Sequence, residues 1–151
     1  MQYTYEFEVF ESEGWLLAFP FDFDGGTQGE DWEDIAVMAA DWLKIVVEDS
    51  LMHKYELPKA TFGNELKNGG TRMIVSIETS LNSIDSVSAT EAARLLGVSP
   101  SRVSHMIRDN LLEAYRDGNR TLITKASIEA RLADPRKAGR PRKDVVVAKS
   151  A

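Results

Sequence analysis

The sequence predicts an α+β protein in two parts: a small antiparallel sheet with one long helix, then a separate small unit of short helices and a hairpin. Three observations predict it. Apolar residues alternate along the N-terminal stretch and then recur with helical period. Two short capped helices meet at a glycine between Ser88 and Arg108. Charge divides with the chain: residues 1–85 hold 17 Asp+Glu and 5 Lys+Arg, a net of −12, while residues 86–151 hold 7 and 13, a net of +6. Such asymmetry points to two modules with different partners.

Tyr3, Tyr5, Phe7 and Val9 alternate with Thr4, Glu6 and Glu8, the period of a strand with one buried face. Ser12-Glu13-Gly14 turns the chain, and Trp15, Leu17 and Phe19 alternate along a second strand, giving a hairpin. Phe21 to Gly26 is a loop and Thr27-Gln28-Gly29 a short third strand. Asp31 caps a long helix, with Glu33 and Asp34 set against its positive end. Trp32, Ile35, Ala36, Ala39, Trp42, Leu43 and Val46 form its expected apolar stripe. Pro58 and the stretch Gly63 to Gly70 break the pattern; Arg72 to Thr79 is a further strand with Met73, Val75 and Ile77 on one face. Ser80 to Ser86 is polar and reads as a linker.

In the second part Ser88 and Glu91 form a capping box, and Ala92, Ala93 and Leu96 share one face. Gly97 ends the helix where a positive φ is needed. Ser99 caps the next helix, Pro100 opens it, and Val103, Met106 and Ile107 point inward. That leaves Ser101, Arg102, Ser104, His105 and Arg108 outside, the pattern of a helix-turn-helix whose second helix enters a DNA major groove. An ordinary helical hairpin with a polar face is the plainer alternative. Residues 112–123 then read as a small hairpin turning at Asp117-Gly118, and Thr124 caps a last helix carrying Ile128 and Leu132.

The run from Ser88 to Leu132, with "LLGVS", an exposed second helix and "YRDGNR", resembles the excisionase-like, MerR-type winged helix-turn-helix domains. The fold class is therefore α+β, a small sheet with one long helix plus a separate small winged helix-turn-helix. Double-stranded operator DNA is the expected partner. Its expected contacts are Ser101, Arg102, Ser104, His105 and Arg108 on the helix and Arg116, Asn119, Arg120 and Thr121 on the wing. In the tail, Gly139-Arg140-Pro141-Arg142-Lys143 resembles an AT-hook, with Ala138 where that motif has arginine. Arg140, Arg142 and Lys143 are the tail's candidate minor-groove contacts, against a solvated basic tail as the alternative.

The N-terminal order of strands and helix, with "FPFDFDGGTQGEDWEDIAVMAADWL", resembles the HicB family of antitoxins. Gly25 or Gly26, Gln28, Gly29, Glu30 and Asp31 stand at the places of that family's signature. The loop before the last strand is longer than usual, and an acidic, phenylalanine-rich stretch replaces a proline-rich one. The resemblance implies a partial RNase H-like fold, a small basic HicA-like toxin that cleaves messenger RNA as partner, and autorepression of the operon through the second part. Phe21, Asp22, Phe23, Asp24 and Glu30 are the candidate toxin contacts, with Phe21 and Phe23 expected to be exposed. The expected domains are 1–80 (HicB-like), 81–87 (linker), 88–133 (winged helix-turn-helix) and 134–151 (basic disordered tail).

No enzyme, cofactor or metal is expected. Asp22, Asp24, Glu30, Asp31, Glu33 and Asp34 crowd one loop and one helix start, where capping explains them; an RNase H-like hydrolase would need them to converge. The chain has no cysteine and only His53 and His105, and His53 has no second ligand at metal spacing. No apolar run approaches the roughly 18 residues of a membrane helix, and the first residues lack a signal-peptide pattern, so a cytoplasmic protein is expected. It is expected to act as a homodimer or higher homo-oligomer, since paired half-sites multiply the specificity of a small reading head. The alternative regulator is a solitary one whose first domain senses a ligand or protein.

Overall fold

The computed structural model describes residues 1–134; Arg140, Arg142 and Lys143 lie outside the described residues. The chain divides into two compact units, Met1–Ile84 and Asp85–Ala151. Unit 1 holds strands β1 (Gln2–Ser12), β2 (Trp15–Pro20), β3 (Thr27–Gly29) and β4 (Thr71–Glu78) and the helix α1 (Trp32–His53). The sheet is antiparallel in the order β3-β2-β1-β4. Unit 2 holds β5 (Ser86–Ser88), α2 (Ala89–Leu96), α3 (Pro100–Arg108), β6 (Ala114–Asp117), β7 (Arg120–Thr124) and α4 (Lys125–Ala133). This is the expected α+β architecture. A 3-10 turn at Leu81–Ser83 and β5 occupy the stretch expected as a linker.

In unit 1, α1 lies on the face of the sheet built from Tyr5, Phe7 and Val9 of β1 and Val75 of β4. Asp31 caps it, its carboxylate accepting from Asp34 N at 2.8 Å. Gly29 lets the helix come close: a Cβ there would stand 2.7 Å from Ile35 N and 2.9 Å from Ile35 Cα. The inward residues are Ile35, Ala39, Leu43 and Val47, spaced four apart. Trp32 and Ala36, expected on the inward stripe, are exposed instead, and Val47 takes the inward place given to Val46. Trp42 stays partly buried, edge-on to Phe7 at 5.9 Å.

The faces of β2 are the reverse of those expected. Ser12 pairs with Trp15 across a two-residue turn, which sets Val9 opposite Ala18 and Phe7 opposite Pro20. Directly paired antiparallel residues share a face, so Ala18 and Pro20 turn inward. Trp15 and Phe19 go to the other face, where Phe19 meets Phe10 edge-on at 5.5 Å.

That other face is also not simply solvated. Glu6 and Glu8 are buried there beneath the segment from Tyr55 to Gly70, whose backbone they hold. The Glu6 carboxylate accepts from Gly63 N at 3.0 Å and Asn64 N at 2.9 Å. Glu8 accepts from Lys67 N at 3.0 Å, Asn68 N at 2.8 Å and Gly70 N at 3.1 Å. Three further bonds pin the segment: Tyr5 Oη donates to Pro58 O at 2.7 Å, Thr61 N to Asp22 at 2.9 Å, and Arg72 Nε to Asn64 O at 2.7 Å. Backbone donors hold the Glu6 carboxyl below its ordinary range, Gly63 first among them. Burial pushes Glu8 upward, but its three backbone donors outweigh burial and its pKa is also lowered.

Candidate nucleic-acid interface

Unit 2 is organised by three capped helices on a three-stranded sheet of order β5-β7-β6. Ser88 Oγ accepts from Glu91 N at 3.1 Å and starts α2. The expected reciprocal half of the capping box is replaced: the Glu91 carboxylate pairs with Arg94 Nε and Nη2 instead. That ion pair lowers the pKa of Glu91 and raises that of Arg94. Gly97, at φ 68°, ends α2, and its N–H returns to the last turn. Ser99 Oγ accepts from Arg102 N at 3.1 Å, and Pro100 supplies the fixed φ of the first turn of α3. Ala92, Ala93, Val103, Met106, Leu112, Ile123 and Ile128 close one core between these elements.

The packing of Val103 and Met106 decides what α3 shows to solvent. Ser101, Arg102, Ser104, His105 and Arg108 are all exposed, as the sequence predicts. Ser101, Ser104, His105 and Arg108 recur at three- and four-residue steps and so make one polar stripe. Ser104 Oγ leans back on Pro100 O at 3.4 Å, and Arg108 Nε lies 3.9 Å from an Asp109 carboxylate oxygen. Both leave their outer surface open to a ligand.

The wing forms from β6 and β7, which pair Asp117 with Arg120. The turn is therefore Gly118-Asn119, one residue beyond the expected Asp117-Gly118, with Gly118 at φ 63°. Arg116, Asn119 and Arg120 are exposed and Thr121 is half-buried. Two contacts brace the wing arginines. Arg116 Nη1 donates to Thr121 Oγ1 at 3.2 Å, and Arg120 Nη2 to Asp117 at 3.4 Å. Strand β5 pairs with β7 and adds a third strand that sequence reasoning missed, because three residues carry too little periodicity. In α4, Ile128 turns inward as expected, but Leu132 is half-exposed and Arg131 is buried in its place. Arg131 and Leu132 stand three and four residues after Ile128, so helical spacing puts both near its face and does not choose between them.

In unit 1 the candidate protein contacts fall into two groups. Asp24 and Glu30 are exposed. Phe23, expected to be exposed, instead packs edge-on against Tyr5 at 4.7 Å and Trp42 at 5.9 Å, and Phe21 is half-buried. The Asp22 carboxylate is held by Thr61, through N at 2.9 Å and Oγ1 at 2.7 Å. A cleft of about 180 Å³ lies by Phe19, Phe21, Phe23 and Asn68. It falls short of the roughly 300–1,000 Å³ typical of ligand pockets. Among the described residues no three His, Cys, Asp or Glu side chains gather as a metal set. No described helix is long and apolar enough to cross a membrane.

Residues 87–136 match the model of a family described as a helix-turn-helix domain. Unit 2 carries a helix-turn-helix. No curated protein matches the chain. One solved structure, a toxin–antitoxin complex from Streptococcus pneumoniae, is similar at 19% identity and a TM-score of 0.47, over 73% of this chain and 99% of that chain.

Proposed function

We propose that the protein is a DNA-binding antitoxin: unit 2 binds operator DNA and represses, while unit 1 neutralises a small basic toxin. The observation that carries the DNA half is the exposed stripe of α3, polar and basic, set on the buried Val103 and Met106 of a helix-turn-helix. A helix presented this way fits the major groove, with side chains on base edges and wing arginines on phosphates. The net of +6 in residues 86–151 supports a polyanionic ligand.

The toxin half rests on charge and on the resemblance of residues 3–79 to the HicB family. A net of −12 over residues 1–85 is repelled by DNA and complements a basic, RNA-binding protein. Among the candidate contacts, Asp24 and Glu30 are the carboxylates presented to such a partner; Asp22 serves to hold Thr61. The protein acts in the cytoplasm as a homodimer, without catalysis or a cofactor. The test is co-expression with a small basic protein encoded by a neighbouring gene. Growth rescue and a stable complex are expected; rescue absent while repression of the operon persists would leave a solitary regulator.

A further inference from the structure

Strand β4 ends the sheet order β3-β2-β1-β4, so one of its sides faces no strand. Among the described residues no backbone bond from a loop or turn reaches Thr71–Glu78. Unpaired edges template pairing with another chain, and proteins blunt them with short strands, proline, bulges or central charges. The opposite edge, β3, is blunted by its three-residue length. By contrast β4 has eight residues, no proline and no glycine, and its central Ile74 is 61% exposed.

We propose that two copies of this chain pair antiparallel through β4, joining their sheets into one. The strand's own sequence selects the register. Met73, Val75 and Ile77 face α1, while Arg72, Ile74, Ser76 and Glu78 share the other face, as their pairing with β1 requires. Opposed antiparallel residues lie on one face, so only registers that pair odd with odd numbers keep the apolar faces together. Centred on Val75, the pairing sets Arg72 opposite the second copy's Glu78 at both ends, and Met73 opposite Ile77. Centred on Ile74 it would leave Glu78 overhanging; centred on Ser76 it would set Ile74 against Glu78. Arg72 is already placed on that face by its Nε bond to Asn64 O, which leaves both Nη nitrogens to donate. Glu78 is exposed.

The inference sharpens the homodimer part of the proposed function, and its test needs neither DNA nor toxin. The chain contains no cysteine, so engineered thiols report cleanly. Full-length Ile74→Cys and Ser76→Cys chains are prepared separately and oxidised alone and mixed. Direct opposition puts Cβ atoms about 4.5–5.5 Å apart, against roughly 7–8 Å for diagonal neighbours. The mixture is expected to give a disulfide-linked heterodimer several-fold faster than either variant links to itself. Sedimentation of the full chain should show dimer, loosened roughly tenfold in Glu78→Arg and tightened again in Arg72→Glu/Glu78→Arg. A monomer at every concentration overturns the inference together with the homodimer reading. A dimer without the 74–76 cross-link overturns the β4 inference alone.

Discussion

Arg102 and Arg120 are both exposed cations of unit 2, yet they differ in what surrounds them. Arg102 stands in the first turn of α3, while Arg120 is braced by Asp117 on the wing. In the proposed complex Arg102→Ala costs about 1–3 kcal/mol at the specific site and relaxes selectivity at one base pair. Arg120→Ala weakens all sequences alike and lowers the slope of log K against log salt by about 0.9. Titrations on operator and scrambled duplexes across salt concentrations separate the two; equal effects on both duplexes for both variants would misplace the reading face. Gly29→Ala presses a methyl onto the Ile35 backbone and should cost about 1–3 kcal/mol, read as a lower denaturation midpoint at unchanged m-value. The exposed residues of α3 were legible in the sequence because Ser99, Pro100, Val103 and Met106 leave one way to rotate that helix. Phe23 was not: nothing local says that a loop phenylalanine will find Tyr5 and Trp42.

At the scale of elements, β2 shows where periodicity stops deciding. Residues 15–20 are apolar at every position, so alternation cannot choose a face; the two-residue turn after Ser12 chooses it. The same holds for α1, where Trp32, Val37, Met38 and Ile45 are exposed apolar residues beside a correct helical period. The segment from Tyr55 to Gly70 was hidden for another reason, since Glu6 and Glu8 hold it chiefly through backbone N–H groups, which every residue but proline has. Its order depends on pH in a definite direction. Glu6 and Glu8 have lowered pKa values when folded, so their contribution is complete above the ordinary carboxylate range and is lost as pH falls through their folded values. Amide exchange at Gly63, Asn64, Lys67 and Asn68 should therefore lose protection on acidification before the α1 core does. Glu8→Gln should show that loss at Lys67 and Asn68 already at neutral pH. Protection unchanged in Glu8→Gln would mean that the carboxylate does not hold the segment.

For the molecule as a whole, each unit has its own core, Phe7, Ile35 and Leu43 in one and Val103, Ile123 and Ile128 in the other. Residues 1–84 are expected to fold alone, bind the toxin and rescue growth without binding DNA. Residues 85–151 should bind DNA, more weakly than the full chain if pairing resides in unit 1. Gel shifts and growth assays on the two fragments check this; a DNA-binding N-terminal fragment would contradict it. Toxin association should slow as salt shortens the Debye length below about 10 Å, because the acidic unit steers a basic partner. The two-unit plan was legible from the sequence through the charge break near residue 85. Its exact seam was not, because β5 pairs with β7, more than thirty positions onward, and only that pairing assigns Ser86–Ser88 to the second unit.

The two buried glutamates bear on how this protein can vary. They accept from five backbone amides at fixed steps, Gly63, Asn64, Lys67, Asn68 and Gly70, and from the side-chain amides of Asn64 and Asn68, and so they fix both the spacing and two of the residues. An exposed side chain between those amides, such as Glu65, can be exchanged at small cost. A single deletion, insertion or proline among the five moves or removes a donor and leaves a buried carboxylate short of one. The segment is thus fixed in length and at Asn64, Asn68 and Gly70, and open to exchange only at its outward side chains.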